Sequence, residues 1–269
     1  MGVATVILAS ALASQPATAL APTSKWYVDY ATDACTVGRA FGSPKKPIVF
    51  AIIADTMGHG VTVELIDSRV AGTMQKRAVE VRFAPNALPI AFDGATVPLG
   101  PDAMQKLSFN LDEEGMRRLA GATSLAIGVR ATSPTMLDVP GLAAAMAALE
   151  KCRVDLVVSW GMSEAEQRRV KVPAKALPPL ARRYVFDTDD YPTEALRNHQ
   201  SGATSVRIRV EADGRLSDCT VTRSSGSQAL DATTCRVIRQ RARYSPARDD
   251  AGTPIASIDT VKIKWTIPQ

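Results

Sequence analysis

Period-two alternation of apolar and polar residues dominates the first half of the chain. Residues 26–30 (WYVDY), 35–41 (CTVGRAF), 61–66 (VTVELI) and 78–83 (AVEVRF) alternate, and residues 47–54 (PIVFAIIA) form an apolar, β-branched run that suits a buried strand. Gly58, Gly60, Gly72 and Pro85 punctuate these runs as turns. The spacing predicts an antiparallel sheet. Further on, the pattern changes. Residues 111–120 (LDEEGMRRLA) read as a short helix whose acidic first turn complements the helix dipole, and residues 124–130 (SLAIGVR) read as a strand. Residues 140–152 (PGLAAAMAALEKC) read as a second helix with Pro140 in its first turn, placing Leu142, Met146, Leu149 and Arg153 near one face.

Residues 162–190 differ in composition. A charged stretch, residues 164–169 (EAEQRR), precedes Pro173, Pro178 and Pro179, and the proline run predicts an extended, exposed linker. The pattern then resumes. Pro192 opens a helix, and residues 205–210 (SVRIRV) and 215–223 (RLSDCTVTR) flank the turn Asp213-Gly214 as a hairpin. Residues 230–243 (LDATTCRVIRQRAR) form a helix ended by Pro246, and residues 258–267 (IDTVKIKWTI) close the chain as a long alternating strand. The expected fold class is α+β: an N-terminal β-rich α+β domain and a C-terminal two-layer α/β sandwich, three antiparallel strands with two helices. The expected divisions are an export leader at 1–21, the first domain at 22–161, the linker at 162–190 and the second domain at 191–269.

The leader rests on residues 3–13 (VATVILASALA), an apolar run without a basic residue before it. Ala17-Thr18-Ala19 and Ala19-Leu20-Ala21 are the small-x-small sites where cleavage is expected. The run is shorter than the roughly 20 residues of a membrane span. A mature protein freed of it is expected in the periplasm, and an uncleaved one would be tethered to the inner membrane.

Four cysteines, Cys35, Cys152, Cys219 and Cys235, show no metal-ligand spacing. Their even number and the leader favour two disulfides in an oxidising compartment over four buried thiols. Three pairings are possible. Cys35 with Cys152 and Cys219 with Cys235 is preferred, because each bridge then stays within one domain.

The chain of 269 residues carries a net charge of +5, and residues 171–269 hold 16 basic and 11 acidic side chains. The surplus therefore sits in the C-terminal third. No aromatic-basic patch or reader motif points to nucleic acid, so an acidic partner or an anionic surface is the milder inference. Arg236, Arg239 and Arg243 fall at helical spacing as a basic stripe. For catalysis the candidates are poor. His59, between Gly58 and Gly60, has no second ligand or base in reach by sequence, and Asp112, Glu113 and Glu114 read as a solvated helix start. No catalytic residue, metal ligand or cofactor is assigned.

The second domain resembles the C-terminal domain of the TonB family. The residues that carry the resemblance run in order: Tyr191-Pro192, Gly202, Val206, Ile208, Val210, Asp213-Gly214, Ser224-Ser225-Gly226, Leu230-Asp231, Tyr244-Ser245-Pro246-Ala247, Gly252-Thr253-Pro254 and Trp265. The resemblance implies a non-enzymatic envelope protein whose partner is an outer-membrane transporter. A short transporter segment, the TonB box, would pair along a sheet edge by β-strand addition. The last strand is the expected acceptor, through Ile258, Val261, Lys262, Ile263, Lys264 and Trp265. The short linker departs from the long proline-rich spacer of TonB proteins, so the resemblance implies partner binding more directly than energy coupling. A scaffold or homodimer-forming envelope module, and an enzyme with its site in the first domain, are the competing readings.

Overall fold

The computed structural model describes residues 19–54, 60–67, 74–86, 88–99, 104–129, 132–177 and 186–268. The leader run and His59 lie outside the described residues.

The first domain is one nine-stranded antiparallel sheet. Its strands are β1 (Tyr27–Tyr30), β2 (Cys35–Ser43), β3 (Lys46–Ala54), β4 (Val61–Asp67), β5 (Gln75–Phe83), β6 (Ile90–Leu99), β7 (Met104–Leu111), β8 (Ser124–Val129) and β9 (Thr135–Asp138). They lie in the order β1-β2-β3-β4-β7-β6-β5-β8-β9. The alternation of β4 is reproduced as buried Val61, Val63 and Leu65 with Thr62, Glu64 and Ile66 only half-buried. The inner face packs Phe41, Phe50, Ile52, Leu65, Leu107 and Ile127 into one core, joined by Leu142 and Leu149.

A short strap closes this sheet. Leu20 N–H donates to the Met136 carbonyl at 2.8 Å, and Asp138 N–H donates to the Leu20 carbonyl at 3.0 Å. Thr23 N–H donates to the Ala40 carbonyl at 2.8 Å. Residues 20–23 thus lie between β9, one end of the strand order, and the part of β2 beyond its pairing with β1, and cover edges that would otherwise be open to pairing. Of the two expected cleavage sites, the one after Ala19 keeps Leu20 in place and the one after Ala21 removes it.

Two helices complete the domain. In α1 (Glu113–Ala120), Asp112 caps the first turn by accepting from Gly115 N–H at 2.9 Å. Helix α2 (Leu142–Ser159) buries Leu142, Ala145, Leu149, Cys152 and Val157. It runs seven residues beyond its expected end at Cys152, because Leu156 and Val157 continue the apolar face. The Cys35–Cys152 disulfide joins β2 to α2, with Cα atoms 5.9 Å apart.

The expected exposed linker is largely structured. Ser163 and Glu166 form a capping box that starts α3 (Glu164–Arg169). Val170 is buried, and Lys171 and Val172 N–H groups both donate to the Arg248 carbonyl. Strand β10 (Lys175–Ala176) pairs with β13 (Tyr244–Ser245). The segment is extended, as its prolines require, but it lies along the second domain because Val170 and Ala174 find apolar partners in Val157, Met162, Ala247 and Ile258. Pro178 and Pro179 lie outside the described residues.

The second domain has a single-turn 3-10 element (Thr188–Asp190), α4 (Thr193–Arg197), β11 (Gly202–Val210), β12 (Leu216–Arg223), α5 (Gln228–Arg241), β13, β14 (Ala247–Arg248), β15 (Pro254–Ile255) and β16 (Ser257–Trp265). Its three-stranded antiparallel sheet has the order β12-β11-β16. Val206, Ile208 and Val210 face Ile238 and Ala242 of the α5 region across the two layers. Both expected domains are therefore α+β, and the C-terminal sandwich has the expected strand count.

Candidate functional site

Strand β16 pairs with β11 along its whole length, from Ser257 opposite Val210 to Trp265 opposite Gly202. It ends the strand order, so no strand of the described residues lies on its outer side. Lys262 and Lys264 are exposed, and Val261 and Ile263 are half-buried against the helix layer. Ile258 and Trp265 are different. Ile258 is buried among Val157, Met162, Val170 and Ala247. Trp265 is buried edge-on against Phe186 and Tyr191 and donates Nε1–H to Thr234 Oγ1 at 2.9 Å. These two side chains, expected at the partner-binding edge, are core residues, and only their backbone remains on the strand.

The other end of the sheet is dressed differently. Arg239 on α5 donates from Nη2 to the Cys219 carbonyl on β12 at 2.9 Å. The Cys219–Cys235 disulfide ties the same strand to the same helix, with Cα atoms 5.6 Å apart. The β1–β2 loop reaches the end of β12, where Arg223 pairs with Asp33 at 2.8 Å and Thr32 Oγ1 donates to the Thr222 carbonyl at 3.3 Å. A backbone approaching β12 meets side chains at these points.

The basic stripe is shorter than its spacing suggests. Helix α5 ends at Arg241, and Ala242 has left helical geometry. Arg243 therefore departs from the face that carries Arg236 and Arg239, and its guanidinium donates to the Gln240 and Ala242 carbonyls. The chain turns here because Tyr244 N–H bonds the Gly214 carbonyl at 3.0 Å and Tyr244 joins the β10 ribbon.

Residues 188–267 match the model of the family described as Gram-negative bacterial TonB protein C-terminal. The chain carries a TonB C-terminal domain. No curated protein matches the chain. The match begins at the 3-10 turn and ends just past β16, so the nine-stranded sheet lies outside it. The match supports a TonB-family envelope protein. Two disulfides accord with the oxidising compartment of that setting. Among the described residues, no helix is long and apolar enough to cross a membrane.

The sequence motifs of the TonB C-terminal domain have structural duties here. Asp231 accepts from Ser225 N–H at 2.9 Å, from Ser225 and Thr204 hydroxyls at 2.8 Å each, and from Ser224 Oγ. One carboxylate thus fastens the Ser224-Ser225-Gly226 turn and β11 to the start of α5. Burial alone would raise the Asp231 pKa, but the bonds from Ser224, Ser225 and Thr204 outweigh it and hold the carboxyl below its ordinary value. Asp231→Asn is expected to lose about 2 kcal/mol at neutral pH, since bonds to a charged acceptor exceed neutral ones. The folded-state pKa is depressed, so this stability is present above the unfolded value of about 4 and is lost as pH falls through the folded one. Urea melts of both proteins should converge below about pH 4. Gly214 has φ +79°, and a Cβ there would stand 2.0 Å from the Tyr244 carbonyl oxygen. Asp249 accepts from Thr253 N–H at 2.8 Å and Ala251 N–H at 3.1 Å, which shapes the turn before β15.

Two of the catalytic candidates of the first domain are occupied elsewhere. Asp112 caps α1, and Glu114 binds Arg117 at 2.6 Å and Arg118 at 2.8 Å. Hydrogen bonds from Arg117 and then Arg118 hold the Glu114 carboxyl below its ordinary range, which suits an ion pair and not a proton donor. Among the described residues no three His, Cys, Asp or Glu side chains are grouped to hold a metal ion.

Proposed function

We propose that this protein captures an extended segment of an envelope partner, an outer-membrane transporter, as an added strand along the outer side of β16. The observation that carries the reading is the asymmetry of the three-stranded sheet. Strand β12 is occupied by the Arg239 side chain and by the Asp33 loop, whereas β16 ends the sheet with nine residues of regular pairing behind it. An added strand would gain main-chain hydrogen bonds, with selectivity coming from alternate side chains. Lys262 and Lys264 lie on the face away from α5 and favour acidic residues there. Isolated edge lysines commonly prevent unwanted pairing, so affinity would depend on a partner segment that neutralises them.

The buried N-terminal contacts give this reading a mechanical side. Ile258 anchors the start of β16 against Val157 of the first domain and Met162 just beyond it, so the acceptor strand is held from a second body. The nine-stranded domain then acts as a rigid support for the edge. A periplasmic location is part of the proposal, with export by the N-terminal leader. Energy coupling is not part of it.

The test is site-specific photo-crosslinking of the full chain to detergent-solubilised outer membranes. Probes placed at Lys262 and Lys264 should capture a transporter, and a probe at Thr220 on β12 should not. Capture from Thr220 alone would reverse the assignment of the two edges.

A further inference from the structure

A groove of about 530 Å³ runs between β12 and α5, on the opposite side of the sheet from β16. Its walls include Val221 from the strand, Arg236, Arg239 and Gln240 from the helix, and the Cys219–Cys235 disulfide that spans the two. Asp231 stands at its other end. We propose that this groove is a second interaction surface, one that takes a short extended segment of a partner protein bearing acidic side chains.

The charge state of the two arginines carries the argument. Each guanidinium side chain is 50% exposed. Arg236 has its nearest carboxylate, Asp190, at 3.9 Å, and Arg239 has Asp218 at 3.9 Å. A charge-assisted hydrogen bond is about 2.7–2.9 Å, so both pairs are too long to bond directly. Both carboxylates are also committed elsewhere. Asp190 receives Arg241 on its two oxygens at 2.6 and 3.0 Å, and Asp218 receives Arg207 at 3.3 Å. The bond from Arg239 to the Cys219 carbonyl fixes the guanidinium without neutralising it. The groove therefore presents two incompletely compensated positive charges, of which that on Arg239 is held in place.

Shape and polarity narrow the occupant. The groove is concave, which suits a row of side chains and not a flat bilayer surface. Val221 is 37% exposed and offers an apolar contact in its wall. Asp231 keeps its negative charge at neutral pH because its hydrogen bonds depress its pKa, so acidic residues are favoured at the arginine end and disfavoured near the start of α5. From Asp231 to Arg239 the helix advances about 12 Å, the length of roughly four extended residues. The arginine bond to the Cys219 carbonyl and the disulfide obstruct ordinary strand addition here, so recognition would run through side chains. This surface is independent of β16.

The experiment is a fluorescence-anisotropy titration of the full chain with a labelled peptide, N-acetyl-Glu-Val-Asp-Val-Glu-amide, with a lysine analogue as control. The acidic peptide should bind, the control should not, and raising salt should weaken binding by screening. Arg236→Glu/Arg239→Glu should weaken it about tenfold or more, while Lys45→Glu/Lys46→Glu, exposed where β2 turns into β3, leaves it within about twofold. Because Arg239 also bonds β12, Arg236→Glu alone is the second variant, and a thermal melt checks its fold. Three results would overturn the proposal. One is no binding by the parent; another is unchanged binding by Arg236→Glu and the double arginine variant. The third is arginine-dependent capture by phosphatidylglycerol vesicles in place of the peptide.

Discussion

Replacing both members of the Cys35–Cys152 bridge with alanine lowers the stability of the first domain by about 4–5 kcal/mol, measured by urea unfolding. The two residues are 117 apart in sequence, so the bridge removes a large loop from the unfolded ensemble. Both are also fully buried, at 1% and 0% exposure, in the core formed by β2 and α2. The bridge holds α2 against the sheet, and the last turn of α2 carries Val157, which supports Ile258 of β16. The double variant should therefore also raise hydrogen exchange at the start of β16. The Cys219–Cys235 bridge spans 16 residues, so its loss costs less, about 3 kcal/mol. A Cys35/Cys152 effect no larger than that of the short bridge would mean that the first domain is held together by its sheet alone.

Trp265→Ala costs the second domain about 3–5 kcal/mol, the range of large aromatic truncations in a core. The indole is 5% exposed, sits edge-on to Phe186 and Tyr191 at centroid distances of 5.1 and 5.4 Å, and spends its one donor on Thr234. Thr234 is itself buried and bonds back to the Leu230 carbonyl at 2.9 Å. Trp265→Phe keeps most of the apolar contact and loses mainly that hydrogen bond, so its cost is about 1 kcal/mol. Thermal unfolding of the three proteins checks the order. Similar midpoints for the alanine and phenylalanine variants would mean that the ring contributes little beyond its N–H. Since β16 ends at Trp265, the alanine variant should also weaken partner capture by fraying the acceptor strand.

Much of the second domain was legible because its signals are local. Asp213-Gly214 marks a hairpin, Pro192 a helix start, and the alternation of β16 a strand with one buried face. The order of motifs identified the family before any contact was known. The first domain was harder to read. Strand β7 does alternate, with Leu107, Phe109 and Leu111 buried, but β6 carries Gly94 and Pro98, which read as breakers. Pro98 is tolerated because it lies beyond Thr96, where β6 stops pairing with β5, so its missing N–H leaves no ladder bond unmade on that side. Gly94 is required, since a Cβ there would meet Val79 at 2.6 Å and the Ser108 carbonyl at 2.8 Å. Neither reason exists in one sequence. The closing strap was hidden for the same cause, because Leu20 lies within an apparent leader and its partner β9 is more than a hundred residues away.

The candidate edge was half legible. Position at the end of the chain suggested β16, and the lysine alternation placed Lys262 and Lys264 on one face. That the core consumes Ile258 was not visible. Ile258 is taken by an inter-domain cluster, and Trp265 by an aromatic one. The basic stripe misled at Arg243 because helical spacing was extended past a helix that ends at Arg241 to bring Tyr244 to Gly214. The occupation of β12 by Arg239 and Asp33 depends on contacts that no local pattern encodes.

Amide hydrogen exchange on the full chain, alone and with an outer-membrane transporter in detergent micelles, tests whether β16 receives a partner's backbone. Slowed exchange between Val261 and Lys264 on adding the transporter, with amides of Leu216–Arg223 unchanged, is the predicted result. A transporter that binds while β16 exchanges as it does in the free protein would contradict the account.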